Sequence, residues 1–358
     1  MKNDNPTKAS NPSTPTGAAL GTAIARDMGL RYMTDGSPGI RRLPARGGFR
    51  YVGVDGKPLR DADALQRIKS LVIPPAWRDV WICPLNNGHI QATARDAKGR
   101  KQYKYHPRWR QLRDERKYER MITFAQALPL IRKQVKADLS LPGIPREKVL
   151  ATVVRLLEIT RMRVGNEEYA RNNKSFGLTT LRDKHVEIVC TKLQFHFKGK
   201  SGKQHDVEFD DRRLTPIVRR CRDIPGQLLF QYIDDEGEHR PIGSTDVNDY
   251  LRCITGEDYT AKDFRTWAGT LLAAMALQQH DKCTSFTQAK KNVVRAIEVV
   301  SEKLGNTPSI CRKCYVHPAV IESYLEGALR LPAPRKAAHT DALTREEISL
   351  LKFLQQRC

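Results

Sequence analysis

Several segments of the chain combine basic or polar side chains with the residue types that end helices and form turns. They are Arg163-Val164-Gly165-Asn166, Lys198-Gly199-Lys200, Lys262-Asp263-Phe264-Arg265-Thr266-Trp267, and Asn306-Thr307-Pro308-Ser309 followed by Tyr315. Guanidinium groups give paired hydrogen bonds to phosphate oxygens, an ammonium group can donate a proton, and a deprotonated phenol is a nucleophile. These residue types therefore suit chemistry on an anionic phosphate.

Each segment taken alone also has a purely structural explanation. Arg265 is expected at the edge of a buried helical stripe, where an arginine is often a solvated charge. Gly-Lys is common at exposed hairpin tips, and a tyrosine that follows Cys314 is more often a packing residue than a nucleophile. The order in which the segments occur together is the more informative feature.

The composition favours a nucleic-acid partner. The 358 residues include 62 Lys and Arg against 40 Asp and Glu, which leaves a net charge of +22. Such an excess repels itself unless an anionic partner is present, and the basic residues are spread along the chain rather than confined to a tail. A merely soluble basic protein and a membrane-surface binder are the alternatives. The length and the 40% apolar content allow two domains with their own cores.

The cysteines indicate a reducing compartment and ordinary thiols. All eight are scattered, and no leader or long apolar run opens the chain, so we expect a cytoplasmic protein that does not enter a membrane. Cys311 and Cys314 form a single C-x-x-C with no second pair at the spacing of zinc ligands, so we expect no metal site.

The elements that must position these residues fall into two regions, preceded by a tail. Residues 1–26 are rich in Asn, Pro, Ser, Thr and Ala and are predicted to be disordered. Residues 27–112 contain strand-like runs at Phe49–Val54 and His89–Ala94, with a short helix at Asp61–Leu71 between them. This pattern predicts a small β-rich N-terminal domain.

Residues 113–358 show a mainly helical period, which predicts an α+β protein with a larger helical C-terminal domain. One helix begins after Pro145 and leads to Arg163. The runs at 185–189, 192–197 and 206–209 predict a small antiparallel sheet inside this domain. Later helices are predicted to begin at Ser244 and Thr260, near Thr284, and at Thr344, where Thr344 and Glu347 have the spacing of a capping box.

The segments in their joint order resemble the motif series of type IB DNA topoisomerases of the poxviral and bacterial branch. The series reads Arg, then Gly-Lys, then Lys-Asp-x-Arg-Thr, then Gly-Asn-Thr-Pro-Ser-Ile-x-x-x-x-Tyr. Ile73–Trp77 and Gly99–Tyr105 resemble N-terminal motifs of the same family, so the resemblance spans roughly residues 30 to 330. It implies that Tyr315 attacks a scissile phosphate surrounded by Arg163, Lys200, Arg265 and Asn306. It also implies DNA contacts for Gln102, Tyr103, Tyr105 and Tyr169.

The resemblance further implies a monomer that closes on double-stranded DNA and needs neither ATP, a cofactor nor a catalytic metal. Two arginines would take the place of a metal ion, and Lys200 would protonate the leaving oxygen. Asn306 stands where eukaryotic and poxviral members have histidine; an amide donates a hydrogen bond but carries no charge, so an orienting role is expected.

Two other functions fit parts of the pattern. A tyrosine recombinase or integrase shares the chemistry, but it usually has His-x-x-Arg where this chain has Lys262 to Arg265. In an architectural DNA-binding protein, Tyr315 would only pack and the basic residues would only bind phosphate.

Overall fold

The computed structural model describes residues 17–97, 99–279, 285–331 and 343–357, and the chain divides into two compact units, residues 1–117 and 118–358. The predicted α+β class is confirmed. The domain boundary predicted near residue 112 falls inside a continuous helix, α3 (Pro107–Leu139), a little before this division. No helix within these ranges combines the length and apolar character needed to cross a membrane.

The tail prediction was wrong for residues 17–26. Helix α1 covers Gly17–Asp27, and its Ala25 is fully buried. Alanine has the highest helix propensity, and packing of Ala25 adds the tertiary contact that a short helix needs. Residues 1–16 of the predicted tail lie outside the described residues.

The first unit is built on an antiparallel sheet in the order β2-β1-β3-β4-β5, and the predicted runs Phe49–Val54 and His89–Ala94 correspond to two of its strands, β2 and β4. Asp61 caps helix α2 by accepting hydrogen bonds from two backbone N–H groups, which explains why the helix begins there. Ile68 of α2 packs against Ile40, Ile82 and Ala92 of the sheet. The strands and helix are β1 (Ile40–Ala45), β2 (Gly48–Val52), α2 (Ala62–Ser70), β3 (Arg78–Ile82), β4 (Ile90–Arg95) and β5 (Lys101–Tyr105).

The second unit is mainly helical, with its core along α4, which is buried on almost every side. Its helices after α3 are α4 (Arg146–Thr160), α5 (Glu167–Asn173), α6 (Leu214–Asp223), α7 (Ser244–Thr255), α8 (Ala261–Gln278), α9 (Phe286–Leu304), α10 (Pro308–Cys314), α11 (Pro318–Leu325) and α12 (Arg345–Arg357). The predicted antiparallel sheet is present as β6 (Val186–Val189), β7 (Lys192–Lys198) and β8 (Gln204–Asp210), and a short hairpin adds β9 (Gln231–Ile233) and β10 (His239–Pro241).

Helix α12 is fixed by a buried charge network. Thr344 and Glu347 form the predicted capping box, with Thr344 N to Glu347 Oε2 at 2.8 Å and Glu347 N to Thr344 Oγ1 at 3.2 Å. The Glu347 carboxylate also accepts two hydrogen bonds from Arg132 of α3, at 2.8 and 2.9 Å, and one from Trp267 of α8 at 3.2 Å. Arg132 pairs as well with Glu158 of α4 at 2.6 Å.

Candidate active site

Arg163 lies just after α4, in a segment whose backbone is held tightly. Arg161 ends α4 in the left-handed conformation, with φ 57°. Leu178 N then donates to Arg163 O at 2.9 Å. Gly177 permits this approach, because a Cβ there would lie 2.6 Å from the Arg163 carbonyl oxygen. The Arg163 side chain therefore starts from a well-defined backbone.

Arg265 is inside the protein rather than at a solvated helix edge. Its side chain is only 4% exposed, and its guanidinium donates to Leu304 O at 2.7 Å and to Arg161 O. These acceptors are backbone carbonyls that follow α4 and end α9, so Arg265 joins the two neighbours of α8. Arg265 was expected at the exposed edge of its helix. The turns that follow α4 and α9 cover this face of α8, and the spacing of residues within α8 gives no sign of such a cover.

Asn306 and Tyr315 flank the short helix α10. Gly305 ends α9 with φ 61°, and Asn306 N donates back to Ser301 O at 3.1 Å. Thr307 then caps α10, which ends where Tyr315 N donates to Cys311 O at 2.9 Å. Helix α9 thus ends and helix α10 begins within the short Gly-Asn-Thr-Pro sequence.

These elements bring four of the five predicted catalytic residues together. Arg163 donates to the Asn306 side-chain oxygen, and the Arg265 guanidinium carbon lies 5.4 Å from the centre of the Tyr315 ring. Asn306 Nδ2 and Arg265 Nε are buried and have no hydrogen-bond partner within the described ranges. Buried donors of this kind are costly unless a ligand accepts from them.

The charge of this cluster is uncompensated. In the part of the chain that the structure describes, neither Arg163 nor Arg265 forms an ion pair with a carboxylate. Burial lowers the pKa of both guanidinium groups, and the charge of Arg265 lowers that of Arg163 further. Arginine nevertheless stays protonated in proteins. Two half-buried or buried cations without a carboxylate form a site that favours an anion.

Lys200 is not in contact with the other four. It lies in a single turn of 3₁₀ helix between β7 and β8, and its side chain is exposed. Among the described residues it forms no hydrogen bond or ion pair with Arg163, Arg265, Asn306 or Tyr315. Its assignment therefore stays a prediction from the Gly-Lys motif.

The predicted DNA-contacting residues of β5 do not share one face of that strand. Tyr103 and Tyr105 of β5 stack with ring centres 5.9 Å apart, and Tyr103 is 44% exposed. Gln102 alternates to the other side of the strand, where its amide donates to Asp96 at 3.0 Å. Tyr169 lies on α5 in the second unit, and its side chain is 36% exposed.

Three further residues around the nucleophile had no motif to reveal them. Thr270 of α8 lies with Oγ1 3.1 Å from Tyr315 O, and Tyr118 of α3 donates to Val316 O at 3.1 Å. His205 of β8 lies beside Gly305, and burial, reinforced by the charge of Arg163, lowers its pKa. For His205 a signal existed, since it alternates with Val207 and Phe209 on the inward face of its strand.

Comparison with known proteins shows which family the chain is similar to. Residues 106–340 match the family model of the eukaryotic DNA topoisomerase I catalytic core, and residues 48–96 match that of the bacterial DNA topoisomerase IB N-terminal domain. DNA topoisomerase 1B of Acanthamoeba polyphaga mimivirus is 32% identical over 293 residues, which cover 80% of this chain and 87% of the relative. DNA topoisomerase 1B of vaccinia virus (strain Copenhagen) is 23% identical over 231 residues, 63% of this chain and 70% of the relative.

A solved structure of XerH site-specific recombinase bound to its difH substrate, in the pre-cleavage complex, is 15% identical, with a TM-score of 0.35 over 54% of this chain and 49% of that one. A likeness this low does not establish a shared fold. The catalytic-core model, by contrast, covers more than half of the chain, and the mimivirus relative is similar along most of both lengths. The chain therefore belongs to the type IB DNA topoisomerase family.

Proposed function

We propose that this protein relaxes supercoiled double-stranded DNA by cutting and resealing one strand through Tyr315. The observation that carries the proposal is a pair of guanidinium groups without a carboxylate partner among the described residues: Arg265, beside the Tyr315 ring, and Arg163, which donates to Asn306. A DNA phosphodiester is an anion of matching charge, and both arginines can bind its non-bridging oxygens.

In the proposed reaction, Tyr315 Oη forms a bond to phosphorus and the bond from phosphorus to the 5′ oxygen breaks. Charge builds on the non-bridging oxygens as the five-coordinate transition state forms, where Arg163 and Arg265 stabilise it. The free Nδ2 group of Asn306 supplies a neutral donor to the same oxygens, since its Oδ1 already accepts from Arg163. The phenol proton of Tyr315 leaves to solvent as the bond to phosphorus forms, and the nearby Arg265 guanidinium stabilises the negative charge that develops.

Lys200 is proposed to give its proton to the departing 5′ oxygen, whose conjugate alcohol is a weak acid. Its exposed place on the turn between β7 and β8 leaves the side chain free to reach a bound strand. The 3′-phosphotyrosyl ester conserves the broken bond, so the 5′-hydroxyl can attack in reverse after the duplex has rotated. No ATP is needed, and the arginines supply the positive charge that a metal ion would otherwise bring.

DNA binding is proposed to rest mainly on phosphate contacts, given the net charge of +22. The exposed Tyr103 and Tyr169 are candidate contacts with the duplex, together with Gln102 and Tyr105. We propose that the protein acts as a monomer in the cytoplasm.

A plasmid relaxation assay tests the proposal. Purified protein should relax both positive and negative supercoils in EDTA without ATP, and Tyr315→Phe should not, although it still binds DNA. Relaxation by Tyr315→Phe at the full rate would refute the nucleophile. Binding without relaxation by the unaltered protein would favour an architectural role, whereas exchange of strands between two duplexes would favour a recombinase.

A further inference from the structure

His205 lies at the junction of two catalytic segments. It is the second residue of β8 and pairs in register with Phe197 of β7. The two rings stack with centres 5.1 Å apart and planes only 8° apart. The imidazole therefore lies parallel to the Phe197 ring.

Two glycines pack against the edges of the His205 ring. A Cβ on Gly199 would lie 2.6 Å from His205 Nε2, and a Cβ on Gly305 would lie 2.6 Å from His205 Cε1. Distances this short are not tolerated, so the ring occupies the space that a side chain at either position would need. Gly199 immediately precedes Lys200, and Gly305 immediately precedes Asn306.

The two backbones on either side of the ring are themselves tied down. Gly199 N donates to Lys203 O at 2.8 Å, which closes the turn that carries Lys200. Asn306 N donates to Ser301 O at 3.1 Å, which fixes the other segment to the end of α9. The imidazole lies between the turn that begins at Gly199 and the segment that begins at Gly305, and so sets the distance between them.

The charges around the ring suit a neutral spacer. Burial lowers the pKa of His205, and Arg163, Lys203 and Arg265 lower it further, while Asp206 opposes them. A neutral imidazole adds no charge to the cationic cluster, so it can fill this position without repelling the guanidinium groups.

We propose that His205 is a positioning residue for the leaving-group side of the reaction: its ring, wedged between Gly199 and Gly305, holds the Lys200 turn at the correct distance from Asn306 and the scissile phosphate. The inference rests on the proposed role of Lys200 as the general acid. It assigns no proton transfer to His205 itself.

Single-turnover cleavage of two duplexes tests this assignment. In one duplex the scissile bond is normal, and in the other sulfur replaces the bridging 5′ oxygen. A thiol has a reference pKa of about 8.5, so a thiolate leaves without a proton donor. For His205→Ala we expect cleavage of the normal bond to slow about 100-fold, the cost of a displacement near 1 Å. Cleavage of the sulfur-containing bond should stay within a few-fold of the unaltered protein.

Matched variants separate the wedge from a general structural effect. His205→Phe keeps a flat ring and should cleave both duplexes nearly normally. In Gly199→Ala the added methyl group would clash with the His205 ring from the side of the Lys200 turn, so this variant should show the same selective defect. It keeps the test valid if His205→Ala fails to fold. His196→Ala, an exposed position on β7 that pairs with Asp206, should change neither rate.

Equal slowing of both duplexes by His205→Ala and Gly199→Ala would overturn the proposal, because the defect would then not act through protonation of the leaving group. A loss in His205→Phe as large as that in His205→Ala would also overturn it, by showing that the ring nitrogens are required. Failure of the proposed function would look different, since the unaltered protein would then cleave neither duplex.

Discussion

Thr270→Val tests how the nucleophile's backbone is held. The Thr270 side chain is fully buried in α8, with Oγ1 3.1 Å from Tyr315 O, and it accepts a hydrogen bond from His317 N at 3.1 Å. The neighbouring Gly269 leaves room for the same carbonyl, because a Cβ there would lie 2.8 Å from Tyr315 O. Valine has nearly the shape of threonine and lacks only the hydroxyl.

The substitution leaves the Tyr315 carbonyl and the His317 N–H without this partner. An unsatisfied buried group costs about 1–3 kcal/mol, so we expect the free energy of unfolding to fall by about 2–4 kcal/mol. For a unit of this size, each kcal/mol shifts Tm by about 2–4 °C, which gives a fall of roughly 5–15 °C. Tyr315 would also lose a contact that fixes the position of its backbone, so cleavage should slow about 10- to 100-fold.

Thermal denaturation and single-turnover cleavage at a temperature well below both Tm values measure the two effects. DNA affinity should change little, because Thr270 is buried. Thr270→Ser retains the hydroxyl and serves as the control, with cleavage close to that of the unaltered protein. If Thr270→Val showed an unchanged Tm and an unchanged cleavage rate, the hydroxyl would not be what holds Tyr315.

The remaining predictions concern the anion site and the α12 network. Asn306→Ala should slow cleavage less than Arg265→Ala, because it removes a neutral donor rather than a buried charged one; the reverse order in single-turnover assays would contradict this ranking. Glu347→Gln should lower the free energy of unfolding by about 1–3 kcal/mol in urea titrations, because Arg132 loses one buried charged partner but keeps its ion pair with Glu158. Burial opposes ionisation of Glu347, yet Arg132 holds its pKa below the usual 4.5, so its stabilising contribution should be present above that pH and be lost as the pH falls through the lowered pKa. Urea midpoints measured from pH 7 downward should therefore fall less steeply for Glu347→Gln, and parallel pH profiles would count against this linkage.

Local patterns in the sequence predicted much of the scaffold. Strand-like patterns located β2, β4 and the three strands β6 to β8 but missed β1, β3, β9 and β10, while capping residues such as Asp61 and Thr344 marked helix starts, because these signals act over a few neighbouring residues. The motif order identified Arg163, Arg265, Asn306 and Tyr315, which the structure brings together. Burial of Arg265 could not be predicted, since it depends on carbonyls at Arg161 and Leu304 that are distant in sequence.

The supporting residues were missed for the same reason. Tyr118 donates a hydrogen bond to the backbone just after Tyr315, nearly 200 residues away in the sequence. Neither its residue type nor its sequence neighbours indicate this contact. His205 touches Gly305 only because a sheet and a helix end meet in space. The disordered-tail prediction erred in the opposite direction, because composition alone did not anticipate the burial of Ala25.

The Glu347 carboxylate has two structural roles that different side chains fill in many proteins. It completes the first turn of its own helix and also balances a buried cation that belongs to another. Fraying at the start of helix α12 would therefore cost Arg132 one of its buried carboxylate partners. Helix α12 should consequently melt cooperatively with the body of the catalytic unit.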